Sequence, residues 1–131
     1  MLIKRSEEAQ EIVANDGCRL RELLHPDHDP TSIRYSLALA WVEPGGATLP
    51  HRLSAETEVY LILAGRGRMH IDGDVAEVAT GDAIVIPAAA EQWIECVGDV
   101  PLHFAAIVDP PWRADHDVRS RGGGTPPPLE G

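Results

Sequence analysis

Apolar residues fall in short runs along this chain, mostly at alternate positions, and little of it carries a helical spacing. Residues 33–43, IRYSLALAWVE, predict a long strand with Ile33, Tyr35, Leu37, Leu39 and Trp41 on one face. EVYLILAG at 58–65 is apolar on both faces and too short for a typical helix, which predicts a strand covered on both sides. Asp72-Gly73, between GRGRMHIDG and DVAEVATGD, is a dipeptide favoured in tight hairpin turns. Further strands are expected at 83–87, 92–97 and 102–108, with GDVP at 98–101 turning between the last two. GCRLRELLHP at 17–26 predicts a strand with Leu20 and Leu23 or Leu24 inward, and HPDHDPTS at 25–32 a loop. Short strands at near-regular spacing give an all-β class, an antiparallel barrel or sandwich.

The resulting division is an N-terminal segment 1–32, a strand or dimer arm; a barrel over 33–112; and a Pro and Gly rich tail over 113–131 expected to be flexible. A chain of 131 residues fits one domain. Twenty-one acidic against eleven basic residues give a net charge of −10, which argues against nucleic acid and anionic membranes as partners. Cys18 and Cys96 are too few for a disulfide framework and read as reduced thiols. No window approaches the roughly 20 apolar residues of a membrane span, and no signal-peptide core opens the chain, so the expectation is a cytoplasmic protein.

Gly45, His51, Glu58 and Gly65 occupy the spacing G-x5-H-x-H-x3/4-E-x6-G, and Gly81 and Pro87 begin a second pattern, G-x5-P-x-G-x2-H-x3-N. On these two motifs the chain resembles the cupins, small antiparallel jelly-roll barrels, over about residues 33 to 112. It departs from them at four positions: Leu53 stands at the second histidine, Ala89 at a glycine, Gln92 at the third histidine and Cys96 at the asparagine. In metal-binding cupins three histidines and a glutamate hold the ion and leave positions open, and the resemblance carries this role here to His51, Glu58 and Gln92. It implies a divalent iron, manganese, nickel or zinc, weakened by the exchange of two imidazoles for an amide and an alkyl group. The alternative is a metal-free pocket in which the same three residues satisfy one another or a ligand.

Tyr60 follows Glu58 by two and shares its inward face, where its hydroxyl is a candidate proton donor or orienting group. His103 is a candidate replacement ligand whose face alternation leaves open. His70 is expected to face out between Met69 and Ile71, Trp93 to point away from Gln92, and Cys96 to be a small buried hydrophobe. Glu56 competes with Glu58 as the acid, and the His25 and His28 loop is expected to be solvated. Two functions follow from the resemblance: a metal-dependent enzyme of the dioxygenase or isomerase kind, or a small-molecule binding or sensing module without catalysis. Val59, Leu61 and Leu63 require cover from another sheet or a partner chain, which points to a homodimer.

Overall fold

The computed structural model describes residues 1–120, and residues 121–131 of the expected tail lie outside them. Eleven strands occur among the described residues: β1 Glu11–Val13, β2 Arg19–Leu24, β3 Ser36–Val42, β4 His51–Leu53, β5 Thr57–Ala64, β6 Arg66–Ile71, β7 Asp74–Ala79, β8 Ala83–Ile86, β9 Gln92–Val97, β10 Leu102–Asp109 and β11 Asp117–Arg119. They form a six-stranded sheet in the order β1-β2-β3-β10-β5-β8 and a five-stranded sheet in the order β11-β4-β9-β6-β7. All pairings are antiparallel. From β3 onward the chain passes repeatedly between the sheets, so strands far apart in sequence become neighbours, the arrangement of a jelly roll. No helix among the described residues is long and apolar enough to cross a membrane.

The β6–β7 turn is the one its Asp-Gly dipeptide predicts. Ile71 pairs with Asp74, and Asp72 and Gly73 both take positive φ, 48° and 88°, matching the twist of the paired strands. Gly65 joins β5 to β6 at φ +82°, and a Cβ there would stand 2.5 Å from the Pro101 carbonyl oxygen. Both the backbone angle and the close approach require glycine.

The core between the sheets is built on Ile62, Ile86, Ile94, Leu102, Phe104 and Val42. Alternation along β9 is clean: Gln92, Ile94 and Cys96 are buried, while Trp93, Glu95 and Val97 face outward. In β3 the regular strand starts at Ser36, three residues later than the apolar pattern suggests. The apolar face Leu37, Leu39 and Trp41 is its half-buried outer face, and Ser36, Ala38 and Ala40 face inward and line a cavity. The inner positions are small because the barrel encloses a space rather than a packed core at this end. In β10 the same parity holds: Leu102, Phe104, Ala106 and Val108 are buried, and His103 stacks on Trp41 with ring centroids 4.4 Å apart, beneath Arg19 and Arg21.

Residues of both flanking segments enter the sheets. β1 and β2 extend the six-stranded sheet beyond β3, joined through a turn at Asp16-Gly17, and β11 pairs with β4, setting Arg119 opposite His51. Both segments thereby contribute walls to the cavity.

Candidate functional site

His51 and Gln92 sit directly opposite each other on the paired strands β4 and β9 of the five-stranded sheet. Glu58 and Tyr60 face them from β5 in the other sheet, two residues apart and so on one side of their strand. The Tyr60 hydroxyl donates to Gln92 Oε1 at 3.0 Å, and Gln92 Nε2 donates to Glu58 Oε1 at 2.9 Å. The four residues that sequence reasoning singled out thus form one buried cluster. His51 Nδ1 donates to the Leu49 carbonyl oxygen at 3.0 Å, which fixes the ring and leaves Nε2 toward the cavity.

The cavity holds about 300 Å³. Its apolar wall includes Ala38, Ala40, Leu53, Phe104 and Ala106, and its polar groups include His51, Glu58, Asp16 and Asp117. Asp16 Oδ1 accepts the Cys18 amide, and Asp16 Oδ2 lies 3.9 Å from His51 Nε2. Asp117 accepts from Asn15 Nδ2 at 3.0 Å and from Trp112 Nε1 at 2.9 Å. Burial pushes the Glu58 carboxyl up to about 7, against His51 and the Gln92 amide, which pull it down. Burial, reinforced by the Glu58 and Asp16 charges, holds the Tyr60 phenol well above its ordinary range, so Tyr60 is a hydrogen-bond donor rather than a source of phenolate. Burial and Asp16 likewise push up the Cys18 thiol.

The donor set fits a resident divalent metal poorly. The Gln92 carbonyl oxygen, the atom that would ligate, already accepts the Tyr60 hydroxyl, and its amide nitrogen is bound to Glu58. Leu53, on the same face of β4 as His51, is buried and apolar, so the motif positions supply one imidazole and one carboxylate, Glu58, whose Oε1 is held by Gln92. Among the described residues no three His, Cys, Asp or Glu side chains are grouped to hold an ion.

The other candidates stand apart from the cavity. His103 lies on the outer face against Trp41, and its Nδ1 lies 3.0 Å from the Ala40 carbonyl oxygen, so it does not replace the missing ligand. His70 faces outward, stacked on Trp93 and bonded to Glu95. Glu56 is buried away from Glu58 and accepts from His116 Nδ1 at 2.6 Å. Cys96 is buried with its thiol on the Val100 carbonyl oxygen. The His25 loop is not simply solvated: His25 is buried, takes the Asp27 amide on Nδ1 and donates from Nε2 to the Trp112 carbonyl oxygen at 2.9 Å.

Sequence reasoning missed Asp16, Cys18 and Asp117. One signal was present, since Asp16-Gly17 is the same hairpin dipeptide as Asp72-Gly73, and reading it would have drawn β1 and β2 into the sheet. Nothing local marks Asp117, which reaches the cavity only because β11 pairs with β4.

Comparison with known proteins agrees with this fold. An uncharacterized protein of Methanocaldococcus jannaschii is 41% identical over 100 residues, 76% of this chain and 79% of that protein. An oxalate-binding protein of Thermotoga maritima is 31% identical over 65 residues, half of this chain and 54% of that protein. The crystal structure of a predicted oxalate decarboxylase from Thermotoga maritima superimposes with a TM-score of 0.72 at 24% identity, covering 82% of this chain and 98% of that one, a likeness of fold. The model of the cupin domain matches residues 38–108, from the cavity face of β3 to the end of β10, and the chain therefore belongs to the cupin-domain family.

Proposed function

We propose that this protein binds a small organic molecule in its barrel cavity by direct hydrogen bonds, without a resident metal, as a binding or sensing module. The observation that carries this reading is His51 Nε2: it faces an enclosed space with no hydrogen-bond partner among the described residues, while the Gln92 amide that a metal would need is committed at both ends. An acceptor open to a cavity in this way is completed by a ligand that donates to it. The name of the oxalate-binding relative supports small-molecule binding as the class of function.

A second reading places a divalent iron, manganese, nickel or zinc on His51, Glu58 and Gln92. The electrostatic coupling of His51 to Glu58 favours it, and it requires Gln92 to give up Tyr60. A thermal-shift screen of metabolites, run in EDTA and again with each metal, separates the two. Stabilisation by a metabolite in EDTA supports direct binding. Stabilisation only with metal, together with stoichiometric metal in elemental analysis of the purified chain, overturns it.

We also propose a homodimer formed through the outer face of the six-stranded sheet, where Leu37 and Leu39 of β3 and Val59 and Leu61 of β5 flank Ala105 and Ile107 of β10. Leu61 remains 38% exposed and Leu63 39% in the single chain. Light scattering tests this: a monomeric mass refutes it, and a dimeric mass converted to monomer by Leu61→Arg supports it. Two buried free thiols suit a cytoplasmic setting.

A further inference from the structure

The polar atoms that His51 and Asp16 leave free at the cavity, and the one that Glu58 leaves free once ionised above pH about 7, are all hydrogen-bond acceptors. The Leu49 carbonyl oxygen can only accept, so the His51 proton sits on Nδ1 and Nε2 offers a lone pair. That side chain is 4% exposed. Asp16 uses Oδ1 on the Cys18 amide and Glu58 uses Oε1 on Gln92, leaving Asp16 Oδ2 and Glu58 Oε2. Of the two hydroxyls in the lining, that of Tyr60 is spent on Gln92, and Ser36 Oγ accepts the Trp112 amide. Asp117 adds a third carboxylate held by the neutral donors Asn15 and Trp112, and Glu22 a fourth that binds His28 at its outer end. Among the described lining residues there is no Lys or Arg. Asp16 and Asp117 keep carboxylates at the wall when Glu58 holds its proton.

We propose that the cavity takes a small organic cation, an alkyl- or arylammonium ion, whose N–H groups are shared by His51 Nε2, Asp16 Oδ2 and Glu58 Oε2. Its apolar body lies against Ala38, Ala40, Phe104 and Ala106. This rests on the small-molecule reading above and narrows it. A dicarboxylate such as oxalate brings acceptors and negative charge to a wall that already presents both, so the acceptors stay unpaired and the charges repel.

Cys18 lines the same cavity and serves as reporter. The intact chain is treated with aminoethyl methanethiosulfonate, a cation, or sulfonatoethyl methanethiosulfonate, an anion. The adduct at Cys18 is followed by peptide mass spectrometry, and each reagent's rate is divided by its rate with 2-mercaptoethanol, which removes the difference in the reagents' intrinsic reactivity; the reactivity of the Cys18 thiol cancels in the cation-to-anion ratio. The expected cation-to-anion ratio is roughly tenfold or more, falling several-fold in Asp16→Asn and Asp117→Asn, which keep an acceptor at each position. A ratio at or below one overturns the organic-cation inference and leaves small-molecule binding standing. If neither reagent reaches Cys18 in the folded chain while both label it in urea, the cavity admits no small molecule and both readings fall. Slowing of cationic labelling by phenethylamine, with none by 3-phenylpropionate, supports the inference. Slowing by Mn²⁺ and not by phenethylamine assigns the acceptors to a metal and overturns it.

Discussion

Gln92 and Glu58 stand on opposite sheets of the barrel and are joined side chain to side chain, Nε2 to Oε1 at 2.9 Å. Tyr60 closes the chain from the Glu58 side by donating to Gln92 Oε1. Three buried polar side chains thus satisfy one another across the barrel, and the cross-sheet link needs no ion to hold it. The amide at a histidine position of the family motif has become a clamp, and His51 alone keeps a free nitrogen at the cavity.

The Glu58 carboxyl is raised from 4.5 to about 7 in the folded chain, with burial as the main cause. The folded state therefore holds this proton more tightly than the unfolded one. Stability from the group is full below pH about 4.5 and is lost as pH rises to about 7, a loss on the order of 3 kcal/mol. Glu58→Gln retains an acceptor for Gln92 and removes the titration. Urea denaturation at pH 5 and pH 8 is expected to show a wild-type stability that falls between the two, and a variant that gains over wild type at pH 8.

Leu53→His restores an imidazole on the face of β4 that carries His51. With Gln92→His it returns three imidazoles and a carboxylate to the cavity. The double variant is expected to bind Co²⁺ with visible d–d absorption, under conditions in which the wild-type chain shows none. Equal absorption by the wild type would show that one imidazole and an amide suffice.

Ala89 occupies a glycine position of the second motif and keeps the backbone that glycine would adopt, with φ of 66° and its amide on the Leu53 carbonyl oxygen at 2.7 Å. An L-residue in this region is strained by about 1 kcal/mol, partly offset by the greater unfolded-state entropy of glycine. Ala89→Gly is expected to stabilise by about 0.5 kcal/mol and raise Tm by about 1–3 °C in calorimetry. A lower Tm would mean that the strain is already relieved.

Glu56 is buried and tied to His116, and the Ser54 amide bonds the His116 carbonyl oxygen, so this corner pins the segment leading into β11. His116→Ala leaves the buried Glu56 oxygen without its partner, at a cost of about 1–3 kcal/mol. Hydrogen exchange is expected to quicken at Ser54 and across 117–119 while β6 and β9 keep their protection. Uniform acceleration over all strands would point to global destabilisation instead.

The parts of this fold legible from sequence are those set by local chemistry. Alternation marked β9, the Asp72-Gly73 dipeptide marked its hairpin, and the motif spacing marked His51 and Glu58, which line one cavity. The inner face of β3 was illegible for a physical reason. Apolar patterning reports large side chains, and Leu37, Leu39 and Trp41 lie outside, whereas a cavity wall is made of residues notable only for being small. Asp117 escaped because the pairing of β11 with β4 brings it to the site, which no local pattern encodes, whereas Asp16 sits in a β1–β2 turn that its Asp-Gly dipeptide marks locally.

The Asn15 side chain bonds Asp117 across 102 residues of sequence. Loops of that length close late, after the hairpins and adjacent strands that need little chain ordering. The cavity wall is accordingly expected to be among the last parts of the molecule to assemble and among the first to open, so the cavity would keep its own clock, separate from the appearance of a folded barrel.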